Sequence, residues 1–395
     1  MKARQPVVET DQSEWRTIPI EQIWEGLYDG PHATPKPSES GPVFLGIKNV
    51  TDDGQLDLSD VRHIAEEDFA TWTRRVLPRP GDLVFTYEAT LNRYAIIPEG
   101  FRGCLGRRMA LIRPDASKVD VKFLLYYFFS DEWRSVIASN VMSGATVDRI
   151  PLVTFPTFPV RLPSLQEQRR IADVLSAYDD LIENSQRRIK ILEQMARSLY
   201  REWFVEFRFP GHEKVKFVDS KLGRIPEGWE VKKLGEVIEL NYGKALKTED
   251  RREGPFPVYG SSGRVGMHDA ALVRGPGIVV GRKGNVGSVF WCNQDFFVID
   301  TAYFVTSTLP LRFLFYVLPT LNFINGDAAV PGLSRSQAYA LHIVVPPARL
   351  LEQFCDLAGS LEGQASMLRR QGDNLRRTRD LLLPRLLSAP YIDPD

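Results

Sequence analysis

The sequence contains few cysteines, and none of them lie close together. Cys104, Cys292 and Cys355 are odd in number and far apart, and no Cys-x-x-Cys pair occurs. The sequence therefore predicts neither a disulfide framework nor a zinc site with thiolate ligands. The five histidines lack the His-x-x-x-His spacing of a metal-binding helix, so we expect no bound metal.

Long apolar segments are also missing. No run approaches the roughly 20 apolar residues that span a bilayer, and residues 1–15 lack the apolar stretch of a secretory signal. A length of 395 residues is too great for one ordinary domain, so two or three globular units are expected. Together these features predict a multidomain cytoplasmic protein without membrane contact.

An excess of positive charge is absent as well. The chain has 50 lysines and arginines against 50 aspartates and glutamates, so its net charge is zero. A protein that binds nucleic acid non-specifically and on its own is usually basic overall. We therefore expect any basic surface to be local, or a partner to supply part of the electrostatic attraction.

Catalytic motifs are missing too. The sequence has no Asn-Pro pair for an adenine-methylating loop and no Gly-x-x-x-x-Gly-Lys-Ser/Thr phosphate loop. The glycines of residues 281–287 lack dinucleotide-binding spacing and favour a tight turn. Asp219, Glu230 and Lys232 form a nuclease-like pattern of a kind that often arises by chance. We therefore predict a chain without catalytic or metal-binding residues.

What the sequence does contain is an internal repeat. The segment from Trp15 to Ile23 resembles that from Trp229 to Val237, a displacement of 214 residues. Further on, residues 145–150 resemble residues 328–333, a displacement of 183 that continues into the C-terminal region. A repeated architecture is the expected consequence. The first copy carries about 31 additional residues between these two points.

Each copy ends in a long helical segment whose apolar residues recur at alternating four- and three-residue intervals, the spacing of a coiled-coil seam. Ser164, with Glu167 three residues later, predicts a capped helix start, and Pro210-Gly211 predicts its end. Three glycines, Gly359, Gly363 and Gly372, interrupt the second segment. The predicted seam comprises Ile171, Leu175, Ile182, Ile189, Leu192, Leu199, Phe354, Leu361, Leu368, Leu375 and Leu382.

A seam this narrow needs a partner helix. Antiparallel pairing of the two segments within one chain agrees with the repeat and gives pseudo-twofold symmetry, whereas a coiled-coil dimer between chains is the alternative.

Outside these two segments, the sequence predicts both strands and helices. It predicts strands at residues 42–50, 83–87, 278–280, 298–304 and 343–345 and helices at residues 121–136 and 311–323.

Several segments resemble the DNA-specificity subunits of type I restriction–modification enzymes. They occur in that family's order of target domain, helix, target domain, helix. The matching pieces are Asp29-Gly-Pro-His-Ala-Thr-Pro35, Leu162-Pro-Ser-Leu-Gln-Glu-Gln-Arg-Arg-Ile171, Leu199-Tyr-Arg-Glu-Trp-Phe204, Ile225-Pro-Glu-Gly-Trp-Glu-Val-Lys-Lys-Leu-Gly235 and Leu381-Leu-Leu-Pro-Arg-Leu-Leu387.

The resemblance implies a mixed α/β protein with two target recognition domains separated by two long antiparallel coiled-coil helices. The predicted segments are a first recognition domain (1–160), a first helix (161–208), a linker (209–228), a second recognition domain (229–346), and a second helix with the tail (347–395).

The resemblance also implies a role in bacterial defence as a reader of double-stranded DNA without catalytic activity. One half of a split target would be bound by each recognition domain, and the helices would set the spacer and dock methyltransferase subunits. Two methyltransferase subunits and two restriction/translocase subunits would be the partners. They would bring S-adenosylmethionine, ATP and Mg, whereas this chain would bind no cofactor.

DNA recognition needs cations for phosphates and forked or amide groups for base edges. The candidates lie beside turns and glycines. In the first domain they are Lys36, Lys48, Arg107, Arg108 and Arg149, and in the second they are Lys244, Lys247, Arg251, Arg252, Ser261, Ser262, Arg264, Arg282, Lys283 and Asn285. The alternative functions are a specificity subunit of a related type II (IIB-like) system, a stand-alone enzyme, and an adaptor with two protein-binding domains.

Overall fold

The computed structural model of the protein describes residues 15–143, 147–323 and 332–388. The chain forms two compact units. The first takes the residues up to Asn184 together with those from Gln371 onward, and the second takes Ser185–Arg370. Part of the repeat match between residues 145–150 and 328–333 lies outside the described residues.

In the described residues of the first unit, the strands form three sheets and one further two-stranded hairpin. Strands β1 and β11 form an antiparallel pair, a four-stranded sheet has the order β2-β8-β5-β6, and a three-stranded sheet has the order β4-β3-β7. A separate hairpin joins β9 and β10. The strands are β1 Arg16–Pro19, β2 Trp24–Asp29, β3 Ser38–Leu45, β4 Arg62–His63, β5 Leu83–Thr86, β6 Tyr94–Ile96, β7 Gly103–Leu105, β8 Met109–Pro114, β9 Met142–Ser143, β10 Asp148–Arg149 and β11 Pro159–Leu162.

The second unit repeats this topology. Strand β14 pairs with β22, the four-stranded sheet has the order β15-β21-β18-β19, and the three-stranded sheet has the order β17-β16-β20. The strands are β12 Phe217–Ser220, β13 Gly223–Pro226, β14 Glu230–Lys233, β15 Ile238–Tyr242, β16 Phe256–Gly260, β17 Gly263–His268, β18 Gly277–Gly281, β19 Val289–Cys292, β20 Phe297–Val298, β21 Ala302–Ser307 and β22 His342–Val345.

Strand registers give the same displacements as the sequence repeat. Arg16 pairs with Leu162 in the first unit, and Glu230 pairs with Val345 in the second, which reproduces displacements of 214 and 183 residues. The two units therefore match position by position at their strand pairs. This confirms the predicted internal repeat at the level of hydrogen-bonded partners.

Short helices pack beside the strands, and two long helices follow the globular regions. The predicted helix over residues 121–136 is divided, because Ser130 caps a second helix by accepting a hydrogen bond from the Trp133 amide at 3.2 Å. The helices are α1 Phe69–Trp72, α2 Val121–Phe128, α3 Asp131–Asn140, α4 Leu165–Tyr200, α5 Leu311–Val317, α6 Arg335–Ala340 and α7 Ala348–Leu387.

Helix α4 begins at the predicted place. Ser164 accepts a hydrogen bond from the Glu167 amide at 3.3 Å, which satisfies one free N–H of the first turn. The Glu167 carboxylate pairs with Arg170 instead of reaching back to the cap. The α-helix ends at Tyr200 and continues as a π-helical turn over Arg201–Val205, so the helical segment ends before the predicted Pro210-Gly211.

Burial along the two long helices follows the heptad spacing. In the first unit Ile171, Leu175 and Ile182 are buried, and Leu375 and Leu382 are half-buried. In the second unit Phe354 and Leu368 are buried, and Ile189, Leu192, Leu199 and Leu361 are half-buried. Helix α7 continues through all three glycines.

The segment from Phe209 to Gly228 is more ordered than the predicted linker. Strands β12 and β13 form a hairpin within it, with Val218 opposite Ile225. Phe209 and Ile225 are buried, and the Phe209 ring lies 5.2 Å from that of Trp229. Apolar side chains within the polar, Pro- and Gly-containing stretch therefore anchor it to the second unit.

Each globular region shares its core with segments of the long helices. Ile171, Leu175 and Leu387 belong to the core of the first unit. Trp203, Phe204 and other residues of the helix end belong to the core of the second. Within the described residues, no helix is long and apolar enough to cross a membrane.

Candidate nucleic-acid interface

A cluster of cationic and polar side chains forms where β18 ends in the second unit. The Arg282 guanidinium lies 4.8 Å from the ring centre of Tyr242 and 5.8 Å from that of Tyr303. It also donates a hydrogen bond to the Asp300 carbonyl at 2.9 Å. Contacts between guanidinium groups and aromatic rings are favourable because of the ring quadrupole, so Arg282 is held in place.

Sequence reasoning missed Arg335, which lies at the start of α6. Its guanidinium also lies 4.8 Å from the ring centre of Tyr242, and it donates to the Leu240 carbonyl at 3.2 Å. Tyr242 is 49% exposed. No local pattern marked Arg335, because the sheet brings β15 and α6 together from distant parts of the chain.

Two glycine-containing turns meet beside this cluster. The Ser288 hydroxyl donates to the Ser261 carbonyl at 2.6 Å, and the Asn285 amide donates to the Ser262 hydroxyl at 3.5 Å. The structure therefore brings together four predicted candidates, Arg282, Ser261, Ser262 and Asn285. Ser261 itself is buried. Ser262 and Asn285 are exposed, which leaves an amide and a hydroxyl available to a ligand.

Charge at the cluster is not balanced by nearby acids. Among the described residues, no carboxylate oxygen lies within 4 Å of a charged nitrogen of Arg282, Arg335, Lys244 or Lys283. Both lysines are exposed. The surface formed by Tyr242, Lys244, Ser262, Arg282, Lys283, Asn285 and Arg335, hereafter the cationic cluster, therefore carries net positive charge.

Other candidates of the second unit are engaged elsewhere. Lys247 lies 3.7 Å from Glu249, and Arg252 pairs with Asp269 at 2.8 Å. Arg251 donates to the Val265 carbonyl at 2.7 Å. Arg264 is exposed and donates to the Met267 sulfur at 3.0 Å. These contacts lie on the strands and turn around β16 and β17.

In the first unit, two of the candidate cations also pair with carboxylates. Lys48 lies 2.6 Å from Asp60, and Arg108 lies 3.0 Å from Glu88. Arg149 is exposed in β10. Lys36 and Arg107 are exposed as well.

Matching positions of the two units differ in chemistry. The Ile150 amide donates to the Tyr87 carbonyl at 2.7 Å, and the Leu333 amide donates to the Arg282 carbonyl at 2.8 Å, so Tyr87 matches Arg282. In the adjoining strands, Asp29 lies opposite Ala110 as Tyr242 lies opposite Tyr303. Where the second unit has Arg282 against Tyr242, the first unit therefore has Tyr87 beside Asp29.

Charges of both signs surround this place in the first unit, with Arg75 and Arg107 acting on Tyr87 against Asp29 and Glu88. Burial raises the pKa of Tyr87, and the negative charges of Asp29 and Glu88 raise it further. Asp29 pairs with Arg75 at 2.6 Å and contacts His32 at 3.1 Å. The charge of that aspartate is thereby largely compensated, in contrast to the unbalanced cationic cluster.

Neither a metal site nor the nuclease-like set finds geometric support in the part of the chain that the structure describes. No group of three histidine, cysteine or carboxylate residues is arranged to hold a metal there. Glu230 and Lys232 pair with each other at 2.8 Å on β14. Asp219 lies in the hairpin strand β12.

Comparison with known proteins gives a family match over most of the chain. The model of the type I restriction modification DNA specificity domain matches residues 54–194 and 226–349, once in each copy of the repeat. The matched regions contain the cationic cluster and the greater part of helix α4. They also contain most of the globular part of the first unit.

Relatives of similar length agree with this match. The type I restriction enzyme MjaIX specificity subunit of Methanocaldococcus jannaschii is 26% identical over 359 residues, covering 82% of this chain and 81% of that protein. The putative MjaX specificity subunit of the same organism is 22% identical, covering 95% of this chain and 93% of that protein.

The fold has a solved counterpart. A crystal structure of the S subunit of a type I restriction–modification system from M. genitalium superposes with a TM-score of 0.61 at 18% sequence identity. The match covers 97% of this chain and 98% of that one. At this identity the likeness concerns the fold, which is the predicted arrangement of mixed domains and long helices.

Proposed function

The chain belongs to the family of type I restriction–modification DNA-specificity subunits, and we propose that each of its two units reads one half of a split DNA target. The observation that carries the proposal is the repeated set of sheets with different side chains at matching positions where β5 and β18 end. A shared fold presents the same surface to DNA twice, whereas the differing side chains read unlike sequences.

We further propose that the two long helices set the length of the unread spacer. Helix α4 has 36 residues and α7 has 40. At 1.5 Å per residue these correspond to about 54 and 60 Å. Seam residues of the two long helices are buried in each unit, which favours a stiff helix pair. A stiff helix pair would keep the distance between the two DNA half-sites constant.

Methyltransferase subunits are the proposed partners of the helices. In the second unit, a cavity of about 880 Å³ lies between the long-helix segments, α5 and β19. Its apolar lining includes Leu192, Trp291 and Phe315. An open apolar cavity of this size beside a protein-binding helix pair is suited to a partner side chain or helix.

The first unit covers the matching face with its own chain. Gly54, in the long connection between β3 and β4, packs so closely that a Cβ there would lie 3.0 Å from the Phe129 ring and 3.5 Å from Leu125. The corresponding β16–β17 connection is only a short turn at Ser261 and Ser262. The face left open in the second unit therefore favours docking there.

On this proposal the chain contributes recognition and no catalysis. S-adenosylmethionine would be bound by two methyltransferase subunits, and ATP and Mg by two restriction/translocase subunits. Adenine methylation would then depend on the assembled complex, with this chain deciding which sequence is modified.

The test compares the purified chain with the complex formed with its methyltransferase subunits. We expect the chain alone to methylate no DNA, and the complex to methylate adenines in one split sequence. Methylation by the chain alone would contradict the non-catalytic role. An uninterrupted target would contradict the two-part reading.

A further inference from the structure

The matching positions of the two units differ in charge where β5 and β18 end. We propose that Arg282, held by Tyr242 and the Asp300 carbonyl, reads a guanine in the half-site of the second unit. This inference rests on the proposed function, and it assigns one side chain of the second unit to one base of its half-site. The first unit carries Tyr87 and Asp29 at the places of Arg282 and Tyr242, so it reads its half-site differently.

Arg282 is positioned before any DNA is bound. One terminal nitrogen of its guanidinium donates to the Asp300 carbonyl at 2.9 Å, and the group lies against the Tyr242 ring. Its remaining donors are not taken up by carboxylates of the described residues. A planar fork that is already ordered loses little side-chain entropy when it forms two parallel hydrogen bonds.

A second guanidinium, that of Arg335, lies against the same ring and makes the place more attractive to an electron-rich ligand. Arg335 lies at the same distance from Tyr242 and is tied to the Leu240 carbonyl. Two like charges beside one ring repel each other, and an electronegative ligand relieves that repulsion. The O6 and N7 atoms of guanine are paired acceptors in the major groove, and they match an arginine fork.

A phosphate contact is the competing role for Arg282, and the neighbouring lysines are better suited to it. Lys244 and Lys283 are exposed point charges without an ion-pair partner among the described residues. A lysine ammonium on its flexible side chain can bind a DNA phosphate in many orientations. An anchored guanidinium with an exposed amide and hydroxyl nearby, from Asn285 and Ser262, is the arrangement expected at base edges.

Close approach of the backbone at this place is common to both units. A Cβ at Gly243 would lie 2.2 Å from the Ile299 carbonyl oxygen, and one at Gly30 would lie 2.2 Å from that of Gly106. Any side chain is thereby excluded beside Tyr242 and beside Asp29 alike. The backbone frame is therefore the same in both units, and the difference lies in the side chains it presents.

The experiment uses the complex of this chain with its methyltransferase subunits and duplexes carrying the modified sequence. Each base of both half-sites is substituted in turn, and methylation rates are measured for the unaltered chain and for Arg282→Lys. We expect Arg282→Lys to reduce the preference for guanine at one position of one half-site by about tenfold or more, because the positive charge stays and the fork is lost. Preferences in the other half-site should be unchanged.

Two further variants make the result specific. Tyr242→Ala removes the exposed ring that orients Arg282, so we expect it to relax the same position. Arg274→Lys alters an exposed arginine of the same unit outside the cluster, so we expect it to change no base preference. Thermal melting of each variant identifies any that is unfolded.

Results that contradict the role of Arg282 can be distinguished from results that contradict the proposed function. Equal weakening on all sequences, with a shallower dependence of affinity on salt, would show that Arg282 binds a phosphate and would overturn the inference. Unchanged preferences for both Arg282→Lys and Tyr242→Ala would overturn it as well. If the unaltered complex modified no split sequence, the proposed function itself would fail.

Discussion

At the scale of single residues, a tyrosine–carboxylate contact recurs in both units. Tyr126 of α2 donates to Asp179 of α4 at 2.5 Å, and Tyr316 of α5 donates to Glu362 of α7 at 2.8 Å. Burial raises the pKa of both tyrosines, and the adjoining carboxylate raises it further, so each hydroxyl keeps its proton. Each contact ties a recognition domain to a long helix.

Removing one of these hydroxyls should destabilise its unit. For Tyr126→Phe we expect a loss of about 1 kcal/mol in the free energy of unfolding, because Asp179 loses a partly buried donor. The measurement is chemical denaturation. Tyr178→Phe is the matched control, since no hydrogen bond of its half-buried hydroxyl is found within the described chain. Equal losses for both variants would contradict the account.

The carboxylate of each tyrosine–carboxylate contact also pairs with an arginine, which comes from a long helix in the first unit and from a short helix in the second. Asp179 pairs with Arg379 of α7 at 2.5 Å in the first unit. Glu362 pairs with Arg312 of α5 at 3.0 Å in the second. Arg379 lies at the heptad-spaced position between Leu375 and Leu382, where it interrupts the apolar seam. Its pairing with Asp179 explains how a charge is accommodated there.

Thiol chemistry gives a second residue-scale prediction. Cys104 is buried, and burial raises the pKa of its thiol to about 12. Thiolates rather than thiols are the reactive species. We therefore expect Cys104 to resist alkylation by iodoacetamide at pH 8 in the folded protein and to react once denaturant is added. Mass spectrometry of labelled peptides measures this, and rapid labelling of folded protein would contradict it.

Sequence reasoning predicted some of these side chains and missed others. Seam residues such as Leu175 follow from periodicity, because helical spacing places them on one face. Arg282 was found from its turn of glycines. Arg335 was missed because its neighbour Tyr242 lies almost a hundred residues away and only the sheet brings them together. Local patterns do not contain that information.

At the scale of elements, the glycines of α7 have unlike surroundings. A Cβ at Gly363 would meet no atom within 4 Å. A Cβ at Gly359 would lie 2.9 Å from the Arg312 guanidinium, which pairs with Glu362. One glycine is therefore a simple weakness of the helix, and the other makes room for an ion pair.

Alanine substitutions should separate these two roles. We expect Gly363→Ala to raise the free energy of unfolding by about 0.5–1 kcal/mol, the difference between the two residues in a helix interior. Gly359→Ala should gain less or lose stability, because Arg312 must move away from Glu362. Denaturant titration of both variants measures this. A larger gain from Gly359→Ala would contradict the assigned role.

Among the elements, helices were easier to predict than the connections between them. Helix α4 begins after Ser164, where the capping signal lies. The hairpin of β12 and β13 was not predicted, because polar residues and turn-forming residues conceal Phe209 and Ile225 as anchors. Burial by tertiary contacts, rather than local propensity, orders that segment.

At the scale of the whole molecule, two matched recognition units and two long helices account for the proposed reading of a split target. The repeat was visible in the sequence from its matching segments, and the strand registers reproduce its displacement of 183 residues. The bases read by each unit were not, because they depend on side chains such as Arg282 that the fold positions.

Lengthening both helices should lengthen the unread spacer. We expect a seven-residue insertion after Arg188, with a matching insertion after Gln371, to preserve the seam and to add about 10 Å, roughly three base pairs of DNA. Mapping of methylated adenines in cells carrying the variant complex measures the spacer. Recognition of the original spacer by a folded, active variant would contradict the role of the helices.

The most direct test of the central claim is an exchange of one recognition domain. Residues 229–346 would be replaced by the corresponding domain of a relative with a different target, and methylated adenines would be mapped in DNA from cells carrying the complex. The account predicts a new sequence in one half-site, with the other half-site and the spacer unchanged. Changes in both half-sites would contradict it.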